Sequence, residues 1–248
     1  MGDLVMRRII LFCTFAGALS WTSGQGRGDS ENPLQPLRNL VEQATGSGQS
    51  FINGTLYQDV YPGTNGHPFF GNGQWSEGSI LTGGKTYRGV SLRYDLYKDL
   101  LIYNLIHESG IYAVNLNKER IDRFTLQGHH FVHLTNTDAD PERKKPQPAA
   151  PGFYEEICTG KAALYLKWIK QYEPPSSQGD GRFIAFEQIC IRKDGMLYRV
   201  TGKRTLLLVL SDQDVLIKRY IRVHGLTLRG NSAGVYQQVV EYYNSLQP

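Results

Sequence analysis

Apolar and polar positions change rhythm along the chain. At Asn32 to Thr45, Leu34, Leu37, Leu40 and Val41 recur at helical spacing, with Ser30 or Asn32 placed to cap the helix and Pro33 in its first turn. From Ser50 to Leu210 the rhythm shortens to β-type runs rich in Tyr, Phe and branched residues, separated by Gly, Asn, Asp and Pro. Examples are "SILTGGKTYRGVSLRYDLY", "DLLIYNLIHESGIYAVNLN", "RIDRFTLQGHHFVHL", "RFIAFEQICIRKDGMLYRV" and "KRTLLLVL". Gly83-Gly84, Ser109-Gly110 and Asp194-Gly195 stand where hairpin turns would fall. About ten antiparallel strands are expected. The helical period then returns. Val215, Leu216, Tyr220 and Val223 form one stripe that Gly225 ends; Val235, Tyr236, Val239, Val240, Tyr243 and Leu246 form another. Such stripes must be buried. The expected fold class is therefore α+β: a β-rich antiparallel meander, as a curved sheet or sandwich, with one N-terminal and two C-terminal helices.

The start of the chain adds an address. Arg7 and Arg8 precede an apolar run from Ile9 to Trp21 and the small residues Thr22-Ser23-Gly24. That order is a secretory signal peptide, and its core is too short to span a membrane. Residues 1–24 are expected to be removed and residues 25–31 to form a disordered leader. Residues 32–248 then make a single β-rich domain, with Thr135 to Pro151 as a candidate subdomain break. Loss of Cys13 would leave Cys158 and Cys190 in the similar frames "YEEIC" and "FEQIC". If those frames are paired strands a disulfide can form; otherwise both are buried thiols. The chain has 27 basic and 23 acidic residues, and losing Arg7, Arg8 and Asp3 brings its net charge from +4 to +3. So small a surplus gives no reason to propose nucleic acid.

Candidate chemistry is sparse. "GGKT" at Gly83 resembles the end of a phosphate loop, but Ser79 stands where the first glycine belongs and a strand follows. On a strand, His129 and His133 of "GHHFVH" lie roughly 13 Å apart and His130 faces the other way, so one metal cannot take all three. Asp95 and Asp99, read on one strand face, are about as far apart, beyond glycosidase spacing, while Glu155 and Glu156 point to opposite faces. No nucleophile elbow is present. No cofactor, no metal and no catalytic residue is expected. The aromatics Phe69, Phe70 and Trp75 of "HPFFGNGQWSEGSILTGGKTY", with Tyr94, are the candidate ligand-binding residues; the first three either plug the core or line the mouth of a site. The leading expectation is a non-enzymatic module binding an envelope protein or an apolar small molecule. The alternative is an envelope hydrolase assembled from distant residues such as His67, Asp95 and His107.

The signal peptide, "INGTLYQDVYPGTNGHPFFGNGQWSEGSILTGGKTYRGVSLRYDLYKDLLI", "RIDRFTLQGHHFVHL", "GFYEEICTGKAALYLKW" and the closing "QDVLIKRYIRVHGLTLRGNSAGVYQQVVEYYNSL" together resemble a group of uncharacterised exported proteins of the Bacteroidota. Pro68-Phe69-Phe70 and Tyr94-Asp95 are the more specific parts of the resemblance. Cys158 and Cys190 depart from it. The resemblance implies a periplasmic or surface location in a Gram-negative envelope, and no activity or site residues.

Overall fold

The structure, a computed structural model, describes residues 52–61, 64–107, 110–136, 146–177, 179–228 and 233–246. The expected signal peptide, leader and first helix lie outside the described residues.

Strands dominate, as the alternating pattern requires. The first half holds β1 (Ile52–Leu56), β2 (Thr64–Asn65), β3 (Ser76–Thr82), β4 (Lys85–Asp95), β5 (Leu100–His107) and β6 (Gly110–Leu116). After a 3-10 turn at Lys118–Arg120 come β7 (Arg123–Leu126), β8 (His129–Leu134), β9 (Gly152–Cys158), β10 (Ala162–Glu173), β11 (Gly181–Lys193) and β12 (Met196–Arg199). They form one mixed, unclosed sheet in the order β1-β6-β5-β4-β3-β7-β8-β9-β10-β11-β12, with β2 beside β11. Every pairing is antiparallel except that of β2, which runs parallel to β11 through Thr64 and Asn65. Two runs of hairpins are thus joined where β3 pairs with both β4 and β7. The candidate break at 135–151 does not divide the sheet: Leu134 of β8 pairs with Gly152 of β9.

The turns follow local chemistry. Gly83 and Gly84 close β3 onto β4 with φ of 53° and 77°, and Asp194-Gly195 closes β11 onto β12 with 51° and 81°. Gln127-Gly128 makes a third such turn inside "RIDRFTLQGHHFVHL", at 51° and 82°. Positive φ at both central residues matches the right-handed twist of the flanking strands.

Three helices follow the sheet: α1 (Lys203–Val209), α2 (Asp214–Val223) and α3 (Ala233–Ser245). Both of the last two stand where the helical period returns, and α3 buries Tyr236, Val239, Val240 and Tyr243 of its stripe. The stripe read for α2 is corrected: Val215, Leu216 and Val223 are exposed, and the helix turns Ile217 and Ile221, one turn apart, into the core instead. The first helix corrects the strand reading of "KRTLLLVL": Leu206, Val209 and Leu210 recur at helical spacing and are all buried. These helices share one core with β9, β10 and β11, built from residues such as Leu164, Leu166, Ile189, Ile191, Tyr236, Val239 and Tyr243. Asn244 ties α3 to the sheet, accepting the Ala162 N–H at 3.0 Å and donating to its carbonyl at 2.9 Å. On the other face of β10, Ala163 and Tyr165 join Val132, Tyr154, Cys190 and Leu197. Residues 162–166 are buried on both faces, hence their nearly continuous apolar run. A second large core, richer in aromatics, lies under the first hairpins, where Phe124 stacks on Phe131 at 4.6 Å, Tyr94 meets both edge-on and Phe153 meets Phe124 edge-on.

Of the two alternatives for the cysteines, the structure has free thiols: Cys190 is buried and Cys158 half-buried. β9 and β11 do not pair, because β10 runs between them, with Leu164 opposite Cys158 and Tyr165 opposite Cys190. Two strand spacings separate β9 from β11 by about 10 Å, beyond the ~7 Å that a disulfide spans between Cα atoms. Cys190 is fully buried, and burial pushes its thiol up to about 12.

Candidate functional site

The site is built on the end of β4. Sequence reading ran this strand through Tyr97, but it stops at Asp95, and Leu96 to Asp99 form the turn into β5, where Asp95 pairs with Leu100. Asp95 organises the turn. Its Oδ1 accepts the backbone N–H groups of Tyr97 and Lys98, both at 2.8 Å, and its Oδ2 accepts the Tyr57 hydroxyl at 2.9 Å. Asp95 is wholly buried. Burial raises its pKa, and the N–H of Lys98, the Tyr57 hydroxyl and the N–H of Tyr97 offset only part of that.

Asp99 closes the turn at φ 55°, a left-handed conformation uncommon outside glycine. Its carboxylate accepts the Tyr94 hydroxyl at 2.5 Å and Lys167 Nζ at 2.6 Å, and pairs with Lys118. Lys167 also donates to the Phe153 carbonyl at 2.8 Å. Burial pushes Asp99 up, but Lys167, Lys118 and Tyr94 outweigh it and hold the carboxyl below its ordinary value. Gly152 lets β9 pass close to this ion group: a Cβ there would stand 2.4 Å from Asp99 Oδ2 and 2.7 Å from Lys167 Nζ. Asp95 and Asp99 are therefore the two ends of one turn, and do not share a strand face.

The segment His67 to Trp75 packs beside this turn. Phe69 bridges to Asp95, the Phe70 N–H reaches the Tyr94 carbonyl at 2.8 Å, and the Leu96 N–H reaches the Pro68 carbonyl at 2.9 Å. Gly73, at φ 73°, turns the chain back beneath the His67 ring; a Cβ there would lie 2.9 Å from the imidazole. Trp75 is thereby brought to Arg93. The guanidinium lies 4.3 Å from the Trp75 ring centroid and 4.5 Å from that of Phe69, a cation held by two aromatic faces. Lys170 of β10 donates to the His67 carbonyl at 2.6 Å and lies 3.4 Å from His67 Nδ1, which also accepts the Phe69 N–H at 3.2 Å. Burial, then Lys170 and Arg93, hold the His67 pKa below its usual value.

The sequence-derived residues fall into two groups. Phe70 and Tyr94 are core: Phe70 meets Phe131 and Trp168 edge-on, and Tyr94 lies among Phe124, Phe131 and Phe153. Phe69, although buried, and the half-buried Trp75 touch Arg93 at the surface. No protein-family model, curated protein or solved structure matches the chain.

Sequence reasoning missed the neighbouring ring cluster. Tyr61, Tyr97, Tyr172 and Phe183 are all in mutual contact, with centroids 4.9 to 6.3 Å apart. Tyr97 is 44% exposed and the other three are half-buried. Lys98 links the two parts of the surface, with Nζ 4.8 Å from the Tyr57 ring and 5.5 Å from that of Tyr61. In the sequence, Tyr172 and Phe183 flank the polar run Glu173 to Gly181, the one feature that could have pointed to the cluster. The constellation His67, Asp95 and His107 is not assembled. His107 ends β5 seven residues beyond Leu100, the partner of Asp95, about 23 Å away along the strand. Among the described residues no group of three His, Cys, Asp or Glu is placed to hold a metal. None of their helices is long and apolar enough to cross a membrane.

Proposed function

We propose that the protein is a non-enzymatic binding module, exported to the cell envelope by its N-terminal signal, which recognises its partner through the ring cluster Tyr61, Tyr97, Tyr172 and Phe183. One observation carries this reading. Four large rings from separate parts of the chain meet at the surface, where each keeps exposed area. Aromatic side chains give rigid contact area for little conformational entropy, and they are enriched in recognition surfaces. The resemblance to exported proteins of the Bacteroidota and the order of basic, apolar and small residues at the start of the chain support the location.

The test is binding of the purified mature chain to fractionated envelope glycan and envelope protein, beside Tyr97→Ala and Phe183→Ala variants of unchanged melting temperature. Saturable binding to one fraction that both variants lose supports the module. Equal binding by the variants, or binding to neither fraction, rejects it. N-terminal sequencing of the protein from periplasm or culture medium is expected to start near Gln25; a chain that keeps residues 1–24 in the cytoplasm removes the exported part of the reading.

A further inference from the structure

Beside the rings, positive charge accumulates without an acid to spend it on. Arg93 forms no ion pair among the described residues, and its Nε is buried with no protein acceptor. Lys170 is positioned by a neutral carbonyl, that of His67. Asp95, whose charge acts on Lys170, is saturated by Tyr57 and two backbone N–H groups and has no exposed surface. Asp59 acts on Arg93 through space, but it is exposed and makes no ion pair with it. Two donors, the Phe69 N–H and Lys170 Nζ, converge on His67 Nδ1, so the proton of the neutral ring belongs on Nε2, which is a further donor.

We infer that Arg93, Lys170 and His67 form the receptor for one oxyanion, a carboxylate or phosphate, of a ligand whose body lies against the adjoining rings. The inference rests on the ring-cluster reading above and names its ligand as acidic. The guanidinium fork is the donor best matched to planar or tetrahedral oxyanions, and stacking on Phe69 and Trp75 fixes its orientation before binding. Lys170 and Tyr172 are two positions apart on β10, so they leave the same face of the strand about 7 Å from each other. That spacing suits an anionic group joined to a body the size of one sugar ring. A site of three donors with half-buried cations and no carboxylate paired to them strengthens each charge-assisted bond relative to open water.

The experiment is an NMR titration of the folded chain at constant ionic strength with glucuronate, with inorganic phosphate and with glucose. It follows the Arg93 Nε–H and the Tyr97 and Tyr172 rings. Glucuronate is expected to shift both the arginine and the ring signals saturably, phosphate the arginine signal alone, and glucose not the arginine. Arg93→Gln and Lys170→Gln are each expected to weaken glucuronate binding by ~10-fold or more, the scale of one hydrogen bond to a charged group, while Arg93→Lys retains part of it. Absence of a saturable arginine shift with either anion overturns the inference, as does unchanged glucuronate affinity in both glutamine variants. Loss of envelope binding in Tyr97→Ala without any effect of Arg93→Gln would keep the module and discard the acidic ligand, so the two readings fail separately.

Discussion

The two ends of the Leu96–Asp99 turn handle charge in opposite ways. At Asp99, two lysines and a tyrosine close on one carboxylate, and the group joins the β4–β5 turn, the 3-10 turn at Lys118, β9 and β10. At Asp95, neutral hydroxyl and amide donors satisfy the carboxylate, and nearby Arg93 and Lys170 are left without ion pairs. The first arrangement spends its cations on the fold. The second keeps them at a half-buried surface. Charge saturated by its own chain is structural, and charge held in place but not saturated is available to something else.

The largest expected effect lies at the saturated end. Asp99→Ala strands Lys118 and Lys167 in a mostly buried place, and urea unfolding should show a loss of about 3–5 kcal/mol, the range for removing one partner of a buried ion group. Arg93→Gln should cost only about 1 kcal/mol by the same measurement, since it forfeits cation–π contact but no ion pair. Equal losses in the two variants would erase the distinction between the ends of the turn.

The carboxylates should also titrate in opposite directions about their common reference of 3.8. For Asp99 the folded value lies below it, so the stabilisation is complete above that reference and is lost as pH falls through the folded value. For Asp95 the folded value lies above it, so its contribution is complete below the reference and is lost as pH rises through the folded value. Carbon-detected NMR of the two side chains checks the signs, and a shift in the same direction for both would break the comparison. The smallest expected effect is none: with both thiols free and β10 between their strands, a reducing agent should leave the melting temperature unchanged.

Local chemistry made much of the fold readable. Gly83-Gly84 and Asp194-Gly195 announced their hairpins because the turn needs positive φ, and Val239, Val240 and Tyr243 announced α3 because a helix must bury a stripe. The run "KRTLLLVL" was misread because a short leucine-rich stretch fits a buried strand or a buried helix equally well, and only its packing against Ile217 and Tyr236 decides. The ending of β4 at Asp95 depends on a side chain capturing two amides of the following turn, which alternation cannot show. The site was half visible. Phe69 and Trp75 stood out by composition, whereas their role as the two walls of Arg93, and the approach of Lys170 from β10, exist only once distant strands pair.

The order of the strands also sets when the site comes into being. Neighbours in sequence are mostly neighbours in the sheet, so the hairpins from β3 to β6 can close soon after their residues are free to fold. Arg93 and its two aromatic walls belong to that early part, but Lys170, Tyr172 and Phe183 come from β10 and β11. Because β10 also carries Leu164 and Leu166 of the helix-covered core, the strand that completes the site is the one the helices hold in place. A chain interrupted after β8 would own Arg93, His67, Tyr61 and Tyr97 and lack Lys170, Tyr172 and Phe183. The proposed surface therefore exists only when strands from both parts of the sheet are in place.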